Sequence, residues 1–157
     1  LKSDLELRKD LRSKIPKDYL PMWLREREIE TRQVEPVDLL KAEKLPPYRS
    51  TWMKPTGRLP TDERIHQALL LYVSDMGLLG AAVNPHEVNF MSKKFQSASL
   101  DHVMWFHGKV NFNNWILHHM HSPISQNARG FSRGSIYTKS GKLVASTAQE
   151  GLMRIWD

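Results

Sequence analysis

LLLYVSDMGLLG, residues 69–80, is the stretch of sequence that decides the fold. It completes one strong helix pattern that starts near Thr61, a good N-cap residue. Every residue from Ala68 to Val73 is apolar or aromatic. That run is too apolar on all sides for a helix lying on a protein surface. We therefore expect other elements of the chain to wrap around this helix.

Strand-like segments lie on both sides of the helix. Two precede it and four follow it, at 29–40, 48–55, 97–107, 113–122, 129–138 and 142–156. Turn residues bound these segments, and the Ser-Gly pair at 140–141 predicts a hairpin between the last two. Successive antiparallel strands with a single helix are typical of the α+β class. A sheet long enough to curl around the helix would bury it.

The two ends of the chain differ in composition. Residues 1–28 are dense in charge and interrupted by Pro16 and Pro21, which predicts a connector with a short helix. Residues 29–157 are predicted to form the folded domain. The chain begins at Leu1 rather than at a methionine, so we expect it to be a processed product or a fragment.

Overall composition excludes several classes of function. The chain has no cysteine, which rules out disulfides, zinc-thiolate sites and a cysteine nucleophile. No stretch approaches the roughly 20 apolar residues of a membrane span, so no membrane partner is expected. The net charge of +6 fits either simple solubility or a polyanionic partner such as a phosphorylated cofactor or a nucleic acid.

Asp75 is a carboxylate inside the apolar stretch, where burial without partners is costly. At helical spacing it belongs to a stripe expected to lie against the sheet or a partner. The other members of the stripe are Ala68, Leu71, Tyr72, Leu78 and Leu79.

Two polar residues of the strands are candidate partners for Asp75. Period-two alternation in the last strand places Gln149 on an otherwise apolar inward face. An amide from Gln149 and a hydroxyl from Ser99 could join the carboxylate in holding a water molecule, whose proton the carboxylate would accept. The alternative is a structural kink or cap. Both faces of segment 97–107 carry bulky apolar residues, so periodicity leaves its orientation open.

Three sequence blocks together resemble a known family. They are LYVSDMGLL (71–79), LDHVMWFH (100–107) and VASTAQEG (144–151). In order and spacing, residues 29–156 resemble the C-terminal half of the type II acyl-CoA thioesterases, the TesB-like group with bacterial and peroxisomal members. The resemblance implies the hotdog fold, in which a curved antiparallel sheet wraps one long helix.

The resemblance also implies an activity and a site. The family hydrolyses acyl-CoA thioesters to free fatty acid and CoA and needs no separate cofactor. It uses a water held by an Asp, a Ser or Thr and a Gln, which correspond here to Asp75, Ser99 and Gln149. The alternative is a non-catalytic acyl-CoA-binding or assembly unit.

The chain departs from the family pattern in its length and its ending. Family members carry two hotdog units, whereas this chain has room for one, so we expect it to pair with another hotdog unit as a homo-oligomer. A Ser-Lys-Leu address is absent from its last residues. The expected location is peroxisomal or cytoplasmic.

Other polar and aromatic residues suggest weaker alternatives. Arg129 and Arg133 could meet the phosphates of CoA, or lie at a solvated strand end. His119 and His121 could share a strand face, but no further ligand stands nearby, so no metal site is predicted. Aromatic residues such as Trp105 lie in apolar strands, which favours core or interface over nucleic-acid binding.

Overall fold

The structure is a computed structural model that describes residues 1–38, 40–88 and 92–156. Leu39, in the first predicted strand segment, and Asp157, at the end of the predicted domain, lie outside the described residues. The helices are α1 (Asp4–Asp10), α2 (Leu20–Trp23), α3 (Glu63–Ser74) and α4 (Gly80–Val83), with 3₁₀ turns at Arg12–Lys14 and Lys17–Tyr19. The strands are β1 (Ile29–Gln33), β2 (Tyr48–Pro55), β3 (Phe95–Ser99), β4 (Val103–Phe106), β5 (Ile116–Gln126), β6 (Arg129–Thr138) and β7 (Leu143–Ile155). None of the helices in the described ranges is long and apolar enough to cross a membrane.

The seven strands form one antiparallel sheet in the order β1-β2-β5-β6-β7-β3, with β4 also pairing with β7. Leu70 and Val73 of α3 pack in one core with residues of five strands. These strand residues are Ile29, Met53, Ile116, Ile136 and Val144. A single core that takes side chains from one helix and from five strands requires a sheet that curves around the helix. The predicted α+β architecture is therefore confirmed.

Helix α3 is shorter than the sequence pattern predicts. Its N-cap is Asp62, whose side chain accepts a hydrogen bond from the Arg64 backbone N–H at 3.0 Å, so the expectation of a Thr61 cap is wrong. It ends at Ser74, with Asp75 as the C-cap. Gly77 has a φ of 79°, a left-handed conformation that stops a helix. The chain then turns into α4.

The side of α3 that faces the sheet also differs from the prediction. His66, Leu70, Val73 and Ser74 are buried. The predicted stripe is exposed over α3, with Leu71 45% and Tyr72 63% accessible. Leu78 and Leu79 are buried because the turn at Gly77 carries them out of the helical spacing that relates them to Leu71.

A bulge interrupts the predicted strand 97–107. Ser99 pairs with Gly151 and Val103 pairs with Ala148, so three residues face two. The N–H groups of Leu100 and Asp101 both point to the Glu150 carbonyl, at 2.9 and 3.5 Å. Since the extra residue reverses the alternation, Ser99 and His102 lie on the same face of the sheet. That face, which contacts α3 and α4, is called the inner face below.

Two glycines allow α4 to lie close to the inner face. Gly130 and Gly151 are directly paired on β6 and β7. A Cβ at Gly130 would lie 2.5 Å from the Ala82 Cβ, and one at Gly151 would lie 2.6 Å from Leu79 Cδ1. These contacts set the distance between the α3–α4 turn and the sheet.

Replacing Gly130 with alanine is expected to lower the free energy of unfolding by about 1–3 kcal/mol, because the new methyl group would overlap side chains of α4 and β7. The matched control is Gly57→Ala, where the added methyl meets nothing within 4 Å. Denaturant unfolding of both variants measures the difference. Equal stabilities would contradict the close packing of α4.

Candidate active site

The structure brings Asp75, Ser99 and Gln149 together at the end of α3. Ser99 Oγ donates a hydrogen bond to Asp75 Oδ1 at 3.0 Å. Gln149 Nε2 donates a hydrogen bond to the same oxygen. The three side chains come from the helix end, from β3 and from β7. The site therefore depends on the tertiary fold rather than on any one segment.

Each of the three residues has a specific reason for its position. Gln149 belongs to the inward face of β7, as predicted, and is only 1% exposed. Ser99 is the last residue of β3, directly before the bulge, and its partner Gly151 belongs to the same inward face. Asp75 lies in the turn produced by the end of α3. It is exposed, so the expected burial among apolar side chains is wrong.

The two oxygens of Asp75 are used differently. Oδ1 receives both side-chain donors, whereas no hydrogen bond joins Oδ2 to any of the described residues. A carboxylate with one oxygen anchored by two donors is held in a fixed orientation. Its second oxygen remains available to accept a proton from a water molecule, as a general base requires.

His102, which the sequence analysis did not select, is also part of the site. Its Nε2 lies 2.7 Å from Ser74 Oγ, and its Nδ1 lies 3.3 Å from Gln149 Nε2. The only sequence signal was its place three residues after Ser99. Period-two alternation puts residues three apart on opposite faces, so the signal could be read only with knowledge of the bulge.

Behind Gln149 the inner face carries further polar groups. Within the described part of the chain, three buried atoms have no hydrogen-bond partner: Gln149 Oε1, Ser132 Oγ and His118 Nδ1. Burial lowers the pKa of His118 to about 3, so this imidazole is neutral at physiological pH. The carbonyl side of the Gln149 amide is therefore not held by any described residue. The orientation of the amide depends on its N–H side.

The predicted phosphate-binding arginines are not brought to this site. Arg129 and Arg133 pair with Leu152 and Ala148, which alternate with the inward residues of β7. Both arginines are exposed on the face opposite to Asp75. Arg129 lies 3.6 Å from Glu150, and the guanidinium of Arg133 lies over the Phe131 ring. Their role in binding CoA stays a prediction.

The remaining histidines do not converge. Among residues 1–38, 40–88 and 92–156, no group of three or more His, Cys, Asp or Glu side chains could hold a metal ion. His119 is exposed, with its Nδ1 3.0 Å from Ser50 Oγ, and His121 is exposed as well.

Comparisons with known proteins agree on one family. A family model described as acyl-CoA thioesterase matches residues 23–152. Acyl-CoA thioesterase 2 of Haemophilus influenzae is 36% identical over 140 residues, which cover 89% of this chain and 49% of the Haemophilus protein. The crystal structure of acyl-CoA thioesterase II TesB2 from Mycobacterium marinum has a TM-score of 0.67 at 34% identity, covering 82% of this chain and 50% of the other.

A more distant structure identifies the fold. A protein of unknown function with a hot dog fold from Alicyclobacillus acidocaldarius has a TM-score of 0.62 at 14% identity and covers 89% of this chain. Together with the curved sheet around α3, this similarity confirms the predicted hotdog fold. The chain spans half or less of the length of the curated relatives it matches, for example 49% of the Haemophilus protein and 39% of acyl-coenzyme A thioesterase 8 of Mus musculus.

Proposed function

Because the chain belongs to the acyl-CoA thioesterase family, we propose that it carries the hydrolytic site of a thioesterase that converts acyl-CoA and water into free fatty acid and CoA. The observation that carries this proposal is the anchoring of Asp75 Oδ1 by Ser99 and Gln149, which leaves Oδ2 without a described partner. A merely structural aspartate would not need one oxygen held and the other presented to solvent.

The proposed reaction follows from this geometry. A water molecule at Oδ2 gives a proton to Asp75 while its oxygen attacks the thioester carbonyl carbon. The tetrahedral intermediate then expels CoA as a thiolate, breaking the C–S bond, and the proton on Asp75 neutralises the thiolate. A thiolate is a good leaving group, so no covalent enzyme intermediate is required. None of these steps calls on a cofactor; that the protein needs none is implied by the family resemblance and stays a prediction.

The experiment that tests the proposal is hydrolysis of a medium-chain acyl-CoA by the full-length protein, followed through the free thiol of released CoA. Steady production of both thiol and fatty acid supports it. Binding of acyl-CoA without release of thiol would overturn the proposal, and the chain would then be the acyl-CoA-binding or assembly unit of the alternative prediction.

We further propose that the β3–β4 edge of the sheet pairs with another hotdog unit, either a second copy of this chain or a second unit of the same protein. These strands lie at the end of the sheet, and their outer edge has no partner among the described strands. Exposed apolar side chains cluster there: Leu100, Val103, Trp105 and Phe106 are 54%, 44%, 51% and 40% accessible. An uncovered apolar edge promotes unspecific association, so a specific partner is the economical way to protect it.

Replacing Trp105 with glutamate is expected to weaken this pairing. If the partner is a second copy of the chain, the protein should shift to a smaller assembly. If the partner is a second unit of the same protein, the two hotdog units should come apart. The reason is that a charge would have to be buried at the interface. Light scattering with size-exclusion chromatography measures the first outcome and limited proteolysis the second. Ile124→Lys is the matched control, because Ile124 is 47% exposed on β5, away from this edge. Unchanged mass and proteolysis for Trp105→Glu would contradict the interface.

A further inference from the structure

We propose that His102 and Ser74 act as a positioning pair that fixes the orientation of the Gln149 amide and, through it, the carboxylate of Asp75. The inference deepens the proposed function, since it names two further residues of the same site. Ser74 is fully buried at the end of α3, and His102 is partly buried just after the bulge. Neither side chain hydrogen-bonds to Asp75 among the described residues, so His102 can act on the carboxylate only through Gln149, whereas Ser74 also adjoins Asp75 in the chain.

The direction of each hydrogen bond follows from the number of protons available. The Ser74 hydroxyl has one proton and donates it to the Leu71 carbonyl at 2.8 Å. Towards His102 it can therefore only accept, so of the two neutral forms of the imidazole only the one that carries its proton on Nε2, 2.7 Å away, can make this hydrogen bond. The opposite ring nitrogen, Nδ1, is then an acceptor.

An acceptor at Nδ1 determines which end of the Gln149 amide faces the site. Gln149 Nε2 lies 3.3 Å from Nδ1 and also contacts Asp75 Oδ1, so its two protons serve two acceptors. Rotating the amide by 180° would bring its oxygen against both the imidazole lone pair and the carboxylate. Since Gln149 Oε1 accepts nothing from the described residues, the Nδ1 lone pair and Asp75 alone select the orientation.

As a consequence, Gln149 and His102 have different roles in the site. Both protons of the Gln149 amide are engaged, so this amide holds Asp75 and does not donate to the thioester carbonyl. His102 keeps the amide in place before substrate arrives, which removes a reorganisation step from the reaction. Without His102, Gln149 could rotate while Asp75 is protonated, and the carboxylate would lose one of its two anchors.

The bulge is what makes this arrangement possible. Asp101 Oδ1 accepts the Glu150 backbone N–H at 2.7 Å and thereby stabilises the irregular pairing next to Gln149. In a regular strand His102 would point to the outer face, where His107 does lie, with its Nε2 2.8 Å from Ser146 Oγ. His107 and Ser146 therefore form a second histidine–serine pair, in which the histidine is exposed and lies outside the site.

The kinetic test compares three substitutions at His102 in the full-length protein. His102→Ala is expected to lower kcat for acyl-CoA hydrolysis by about 10- to 100-fold with KM within about twofold, since a misplaced group slows the chemical step rather than binding. His102→Asn should recover activity to within about threefold of wild type, because its Oδ1 can occupy the Nδ1 position and accept from Gln149. His102→Gln, which reaches only towards Ser74, should not recover it.

Two further variants separate positioning from general damage. Ser74→Ala should lower kcat less than His102→Ala, and the double variant should be no slower than His102→Ala alone, because both changes remove the same arrangement. His107→Ala should leave kcat unchanged. Equal kcat for His102→Ala and wild type, or recovery by Gln but not by Asn, would overturn the inference.

A spectroscopic measurement makes the inference independent of turnover. Nitrogen-15 NMR of the imidazole ring distinguishes the two neutral forms, and we expect the proton of His102 on Nε2. Finding it on Nδ1 overturns the inference even if the protein hydrolyses acyl-CoA. Finding it on Nε2 in a protein that releases no thiol supports the positioning pair and overturns the proposed function instead.

Discussion

Replacing Asp75 with asparagine is expected to lower kcat for acyl-CoA hydrolysis by about 10²- to 10⁴-fold, the range that general-base catalysis usually contributes. Asparagine keeps the shape of the side chain, and its carbonyl oxygen can still accept from Ser99 and Gln149. What it loses is the second oxygen, which has no described partner and would take the proton from water. Because Asp75 is exposed, the substitution should leave the unfolding transition near its original position. Thiol release measures the change in rate.

The matched control for this prediction is Asp18→Asn. Asp18 is exposed in a 3₁₀ turn far along the chain from the site, so the same chemical change there should leave kcat unaltered. Wild-type kcat in Asp75→Asn would mean that another group takes the proton from water. A fall in both variants would point to an effect of net charge rather than to a base at the helix end.

The sheet and one site residue, Gln149, could be predicted from the sequence because both depend on simple alternation. The inward positions of β7, including Thr147, Gln149 and Gly151, follow the period of two and are buried as predicted. Asp75 was conspicuous as the carboxylate inside the apolar stretch 69–80, and the family resemblance assigned Ser99, which alternation alone could not select.

The errors of the sequence interpretation have local backbone causes. One is the left-handed turn at Gly77, which ends the helix early and leaves Asp75 in a turn. The other is the extra residue between β3 and β4, which brings His102 to the inner face. Neither a positive φ nor a bulge changes the hydrophobic pattern enough to be seen in advance, since glycine occurs in many conformations and segment 97–107 is apolar on both faces.

Asp75 is exposed close to the β3–β4 edge, where we propose that another hotdog unit pairs. Asp75 contacts Ser99 at the end of β3, and β3 lies at the open edge of the sheet. A hotdog unit that pairs with this edge would therefore cover the region around the carboxylate. Excluding water there would strengthen the hydrogen bonds to Oδ1 and leave only the water at Oδ2 in reach of the thioester. The partner would in this way complete a site whose reacting side chains this chain supplies.

Replacing Leu70 with alanine is expected to lower the free energy of unfolding by about 2–5 kcal/mol, the usual range for a buried leucine. Leu70 is completely inaccessible and packs in the core formed by α3 and the inner face. The loss would be a large part of the total stability of a domain of this size. Calorimetric or denaturant unfolding measures it.

The neighbouring substitution Leu71→Ala is the matched control and also decides how α3 is oriented. It makes the same chemical change one residue further along the same helix, so helix propensity is altered equally. Since Leu71 is 45% exposed, its loss should be about 1 kcal/mol or less. The stripe read from helical spacing predicts the reverse, with Leu71 against the sheet. A larger loss for Leu71→Ala than for Leu70→Ala would restore that reading and would contradict the position of Asp75 relative to Ser99 and Gln149.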